Sequence, residues 1–144
     1  MNQPLEDPAS ETVELRIPAR AEWVALARFS AATMANRLRF SIEEIEDVKL
    51  AVTEACNAAI QSEPQGEFIT LTCEALEGSL RIRVRDNGRR GVRIEHQRMN
   101  FDEARIAGLG IFLIRTLMDE VSYDVRPQSG TELLMVKRLA ARPE

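Results

Sequence analysis

Two runs of alternating residues joined by Glu77-Gly78 restrict the fold of this chain more than any other feature. They lie in EFITLTCEALEGSLRIRVRD, and each places apolar side chains on one side and mostly polar side chains on the other. The apolar positions are Ile69, Leu71, Cys73 and Ala75 in the first run and Leu80, Ile82 and Val84 in the second. A period of two on both sides of a glycine-containing turn predicts a β-hairpin with one apolar face. The rest of the chain is expected to cover that face.

The segments before the hairpin predict one strand and two helices. TVELRIP alternates until Pro18 ends it, which indicates a half-buried strand. A first helix is predicted from about Ala19 to Leu38, and a second from about Ser41, where Ser41 and Glu44 have capping-box spacing, to Ser62. The expected core stripe is Trp23, Leu26, Ala27, Ser30, Met34 and Leu38 in the first helix and Ile45, Val48, Val52, Ala55 and Ala59 in the second.

The segments after the hairpin complete the predicted order of elements. Residues 87–107 show little periodicity and predict a long loop, which in a compact domain is usually a functional lid or disordered. A helix is predicted at about Leu109 to Asp119, followed by strands at VSYDV and TELLMVKRL. Strand, two helices, hairpin, loop, helix and hairpin predict an α+β fold with the helices on one face of a mixed or antiparallel sheet.

Composition limits the classes of function. A chain of 144 residues with 44% hydrophobic content is the size of one domain, predicted at residues 12–140 behind a flexible tail at residues 1–11. The net charge of -4 argues against direct nucleic-acid binding, although six arginines between Arg81 and Arg93 form a local basic segment. No apolar run has the length of a membrane span and the start is unlike a secretory signal, so a cytoplasmic protein is expected. Two cysteines and the single His96 lack zinc-ligand spacing, and Cys56 and Cys73 are expected to be buried.

Three positions suggest chemistry. The alternation of the hairpin places Asp86 on the apolar side, where a carboxylate is costly to bury without a hydrogen-bond donor. Gly108 and Gly110 flank Leu109 before an apolar helix, which would let backbone N–H groups approach an anion. Glu54 lies among small apolar residues of the second helix, and periodicity alone places its side chain toward solvent.

These motifs together resemble a known family. EAxxxA at residue 54, DNG at residue 86, GLGIFLIRTLMDEV and GTELLMVKRL follow the order and spacing of RsbW/SpoIIAB-type anti-sigma factor serine/threonine kinases. That family belongs to the GHKL (histidine kinase-like) ATPase superfamily, so the resemblance implies a two-layer α/β sandwich of the Bergerat type. It also implies a homodimer that sequesters a sigma factor and uses ATP and Mg²⁺ to phosphorylate a STAS-type anti-anti-sigma factor. Such partner switching regulates transcription, for example in stress responses.

The resemblance also implies roles for individual residues. Glu54 corresponds to the general base toward the acceptor hydroxyl, and Asp86 to the aspartate that binds the adenine amino group, with Gly88 allowing close approach. Gly108, Leu109 and Gly110 correspond to the ATP-lid and phosphate region. Thr131 corresponds to the threonine of the final GT motif near the adenine.

Departures from the family pattern leave alternatives open. The family places a magnesium-binding asparagine four residues after the glutamate, where this chain has Ala58, and Asn57 lies one residue earlier. One residue is about 100° of helix rotation, so Asn57 is a displaced candidate ligand. A second hypothesis is therefore a partner-switching module with weak or no phosphoryl transfer. A third is a detached histidine-kinase catalytic domain, although His96 lies outside any predicted helix.

Overall fold

A computed structural model describes residues 11–61, 67–86, 110–126 and 130–140. Its strands are β1 (Glu11–Pro18), β2 (Phe68–Leu76), β3 (Ser79–Asp86), β4 (Glu120–Arg126) and β5 (Gly130–Arg138). Its helices are α1 (Val24–Arg37), preceded by a 3-10 turn at Ala21–Trp23, α2 (Ile42–Gln61) and α3 (residues 110–117). The strands form one sheet in the order β1-β2-β3-β5-β4.

The predicted hairpin forms β2 and β3. The two strands pair antiparallel, with Leu76 opposite Ser79, and Gly78 in the turn has a φ of 73° that favours glycine. The other three strand pairs are also antiparallel. Of the two predicted possibilities, mixed or antiparallel, the described sheet is therefore antiparallel throughout.

The core lies between one face of the sheet and the helices, as the α+β prediction requires. β2 and β3 alternate between buried and more exposed residues along their lengths. The sheet contributes Ile17, Ile69, Leu71, Cys73, Ala75, Leu80, Ile82, Val84, Leu133 and Met135 to the core. α1 packs against β2, and α2 packs against β3. No helix in the described ranges is long and apolar enough to cross a membrane.

The predicted stripe of the first helix was wrong in part. Ala27 and Met34 are buried, but Trp23 and Leu26 are 41% and 44% exposed. The core side of α1 is instead formed by Val24, Ala27, Ala31, Met34 and Ala35. Apolar residues occur on several sides of this helix, so their size does not identify the inner face. Three of the five core residues are alanines, while the larger Leu26 and Phe29 are exposed.

The predicted capping box at the start of α2 is confirmed. The Ser41 backbone N–H donates to Glu44 Oε1 at 2.7 Å, and the Glu44 backbone N–H donates to Ser41 Oγ at 3.0 Å. Glu44 Oε2 also accepts from the Ala140 backbone N–H at 3.2 Å. The cap therefore satisfies free N–H groups at the helix start and connects α2 to the residues that follow β5.

Candidate functional site

Asp86 is the last residue of β3 and lies on the helix-covered face of the sheet. Only 3% of its surface is exposed, and no other charged or polar residue in the described ranges is buried to this degree. Its direct neighbours across the sheet are Ile69 on β2 and Thr131 on β5. A carboxylate in such surroundings is a strong hydrogen-bond acceptor, and Asp86 already takes part in an interaction within the described chain.

Thr131 is the second predicted site residue that the structure brings to this place. It is opposite Asp86 on the neighbouring strand and is half-buried. Facing residues of an antiparallel pair project to the same side of the sheet, so Asp86 and Thr131 form one polar pair on the helix side. Gly88, two residues after Asp86 in the sequence, lies outside the described residues.

Glu54 lies on α2 and is half-buried rather than fully solvent-facing. Asp47 identifies the side of α2 that faces β5, because its Oδ2 accepts a hydrogen bond from Lys137 Nζ at 3.4 Å. Seven residues separate Asp47 from Glu54, so the two carboxylates differ by only about 20° around the helix axis. Glu54 therefore projects from the flank of α2 on which Asp47 contacts β5.

The same geometry distinguishes Asn57 from Ala58. At about 100° per residue, Ala58 lies about 20° from the direction of Asp47, whereas Asn57 lies about 80° from it on the other side of Glu54. Both are half-buried. Ala58 therefore occupies the β5-facing flank, and the amide of Asn57 is turned away from it.

Gly110 is the first described residue of α3. A Cβ built on Gly110 would meet no heavy atom within 4 Å, so packing of the described chain does not require glycine here. A ligand that approaches the backbone would supply such a requirement. The companion residues Gly108 and Leu109 lie outside the described residues.

A family model for the histidine kinase-like ATPase domain matches residues 17–137. The chain belongs to this family. Serine-protein kinases RsbW of Bacillus cereus, Bacillus thuringiensis and Bacillus anthracis are each 37% identical to it, over 88% of this chain and 84% of the relative. A crystal structure of the RsbU and RsbW domains of a Mycobacterium tuberculosis protein superimposes with a TM-score of 0.63 at 16% identity. The superposition covers 90% of the present chain and 32% of the Mycobacterium tuberculosis chain, and this likeness supports the fold alone.

The family assignment confirms the resemblance to RsbW kinases and the expected ATPase-domain fold. Asp86 and Thr131 lie together at one end of the β3–β5 pair, whereas Lys137, which contacts Asp47 on α2, lies near the other end of β5. Within the described residues, no group of three or more His, Cys, Asp or Glu side chains has the arrangement of a metal site.

Sequence reasoning missed one residue of this histidine kinase-like domain, Lys137. Its Nζ donates to the Leu117 carbonyl at the end of α3 at 2.6 Å, besides its contact with Asp47. The signal was present, because Lys137 continues the alternation of Leu133 and Met135 onto the apolar face of β5. The same argument that located Asp86 on β3 would have located Lys137.

The two cysteines are buried thiols, as predicted. Burial raises the pKa of Cys56 to about 12, with a further contribution from the neighbouring Cys73, and burial likewise raises the pKa of Cys73 to about 12. A thiol that stays protonated at neutral pH is a poor nucleophile and a poor metal ligand. The cysteines therefore contribute to packing rather than to the candidate site.

Proposed function

We propose that this protein is an anti-sigma factor that sequesters a sigma factor and uses ATP to phosphorylate a serine or threonine of a STAS-type antagonist. The 37% identity to RsbW kinases, over most of both chains, supports the class of reaction. The observation that carries the proposal is the buried Asp86 opposite Thr131 at one end of the sandwich. A buried carboxylate at the end of a strand suits recognition of an amino group such as that of adenine.

ATP would be held and used by residues with distinct tasks. Asp86 would accept a hydrogen bond from the adenine amino group, with Thr131 beside it, and the backbone at Gly110 would lie toward the phosphates. Glu54 would accept the proton of the acceptor hydroxyl during attack on the γ-phosphate. ATP supplies the phosphoryl group, and the protein supplies positioning and charge stabilisation.

Magnesium is the part of the proposal that this chain supports least. Carboxylate and amide oxygens are the ligands that Mg²⁺ takes from proteins, and Ala58 offers neither at the family position. The side chains present are therefore a poor fit to the family's metal site. Asn57 remains a candidate ligand only if α2 rotates or distorts locally.

This mismatch favours a second candidate function, a binding module that switches partners with weak or no phosphoryl transfer. Replacement of Ala58 by asparagine separates the two possibilities. If the metal site is retained in damaged form, A58N will increase the affinity for Mg-ATP strongly. A binding module would gain little from the same change.

The main test is isothermal titration with ATP and ADP, with and without Mg²⁺, followed by transfer of radiolabelled phosphate to the cognate STAS protein. E54Q should abolish transfer and leave ATP binding within a few-fold of wild type. E46Q is the matched control on the same helix, because Glu46 forms a surface ion pair with Lys49 at 3.2 Å. Transfer that persists in E54Q would contradict the role of Glu54 as base.

We further propose a homodimer that forms in the cytoplasm through β1 and α1. β1 is an edge strand, and Arg37 on α1 binds Glu11 on β1 at 2.9 Å, so the two elements form a continuous surface. Val13 is 42% exposed on β1, and Phe29 is 60% exposed on α1. Exposed apolar residues beside an unpaired strand edge are typical of a protein interface.

A further inference from the structure

Lys137 is a lysine whose ammonium group is enclosed by two different helices. Its side chain is 13% exposed, and its Nζ lies 2.6 Å from the Leu117 carbonyl and 3.4 Å from Asp47 Oδ2. An ammonium group is costly to remove from water unless acceptors surround it, and here both acceptors come from helices. The Leu117 carbonyl belongs to the last turn of α3, where carbonyl groups lack partners within the helix and a positive charge is favourable.

The residues around Lys137 attach the end of α3 to β5. The Asp119 backbone N–H donates to the Val136 carbonyl at 2.8 Å, and the Arg138 backbone N–H donates to Asp119 Oδ2 at 2.6 Å. These bonds join α3 to the sheet only. Lys137 extends the same junction to α2, because its second acceptor is Asp47.

The contact between Lys137 and Asp47 can affect the position of Glu54 because both carboxylates belong to α2. The two residues lie on one flank of α2, two turns and about 10 Å apart along the axis. A helix is stiff over this length, so a displacement at Asp47 also displaces Glu54. The position of Glu54 relative to α3 therefore depends on the bridge through Lys137.

We propose that Lys137 is a positioning residue for phosphoryl transfer, which sets the spacing between α2 with Glu54 and α3 with Gly110. This inference rests on the proposed kinase function. Displacements of about 1 Å in a reacting pair are sufficient to reduce rates by up to about 100-fold. Loss of the bridge should therefore lower kcat while the affinity for ATP, which depends on Asp86, stays nearly constant.

The chain offers a matched control because its two lysines have different surroundings. Lys49 is the only other lysine, and it pairs with Glu46 on the surface of the same helix. The variants K137M and K49M each remove one ammonium group and keep a long apolar side chain. D47N, which keeps an acceptor oxygen but removes the negative charge, tests the other end of the bridge.

The experiment combines a distance measurement with kinetics. Spin labels are attached to cysteines introduced at Leu50 on α2 and Thr116 on α3, both exposed positions. Cys56 and Cys73 are buried with raised pKa values, so they should not compete for the label. The distance distribution between the labels is measured by double electron-electron resonance, and kcat, KM for ATP and thermal unfolding are measured on the unlabelled variants.

The expected result for K137M is a shifted or broadened distance distribution and a kcat reduced about tenfold or more, with the dissociation constant of ATP changed less than about threefold. D47N should show the same pattern to a smaller degree, and K49M should match wild type. An unchanged distance in K137M overturns the proposal, as does an unchanged kcat in an active enzyme. A wild type that binds ATP but never phosphorylates its partner would refute the kinase function, and the distance measurement would still decide whether Lys137 sets the spacing.

Discussion

Replacement of Asp86 by asparagine should weaken ATP binding while the protein stays folded. Asparagine keeps the shape and one acceptor oxygen of aspartate but removes the buried negative charge. A hydrogen bond to a charged group contributes about 1.5–3 kcal/mol, which corresponds to a roughly 10- to 150-fold loss of ATP affinity. Because Asp86 is only 3% exposed and takes part in an interaction within the protein, removal of its charge removes a desolvation cost but also weakens that interaction. These two effects oppose each other, so the free energy of unfolding is expected to fall by less than about 3 kcal/mol.

The assay is isothermal titration with ATP together with urea unfolding of the ligand-free protein. E132Q is the matched control, since Glu132 follows Thr131 on β5 but faces the other side of the sheet and binds Arg83 at 2.8 Å. Loss of this partly buried ion pair should cost about 1 kcal/mol of stability and should not change ATP affinity. If D86N and E132Q weakened ATP binding equally, or if D86N lost more than about 3 kcal/mol of stability, Asp86 would be structural rather than ligand-binding.

Three further measurements address other parts of the structure. S41A removes one half of the capping box and should reduce the free energy of unfolding by about 1 kcal/mol in urea titrations, with ATP affinity unchanged. The pKa values of about 12 for Cys56 and Cys73, against 9.0 for a free thiol, mean that the folded state keeps protons that the unfolded state loses. Stability should therefore be independent of these thiols below pH 9 and fall between pH 9 and 12, less steeply in C73A than in wild type; parallel pH profiles would contradict this. F29E on α1 should shift a dimer toward monomer in sedimentation, whereas F112E should not, although Phe112 on α3 is even more exposed, at 72% against 60%. A dimer that survives F29E would contradict an interface through α1.

The β2–β3 hairpin is the part of the fold that alternation of apolar and polar residues predicted best. Period-two patterning predicted the strands, their buried face and the inward direction of Asp86, because a strand has only two faces and one of them must be covered. The capping box predicted the start of α2 for a similar reason, since both hydrogen bonds are local. Features that depend on neighbouring residues and have few alternatives can therefore be predicted from the sequence.

The first helix shows where such rules stop. The predicted stripe included Trp23 and Leu26, which are exposed, and left out Ala31 and Ala35, which are buried. Which face of a helix turns inward depends on how closely its neighbours approach, and that is a property of the packed layers. Lys137 is a related case, because its two acceptors lie 20 and 90 residues away in sequence and meet only in the folded chain.

The helix α2 differs from the family pattern at the position of the magnesium ligand but not at the position of the proposed base. The family pattern expects an asparagine where this chain has Ala58. The structure adds that the nearest asparagine, Asn57, projects about 80° away from the flank defined by Asp47. Glu54 stays on that flank, so the proposed base keeps its place while the proposed metal ligand does not. Phosphoryl transfer by this chain would therefore depend more strongly on positioning of the reacting groups than on a protein-held metal. The bridge from Lys137 to Asp47 acts on that positioning, so its removal should be more damaging here than in a variant that carries the A58N substitution.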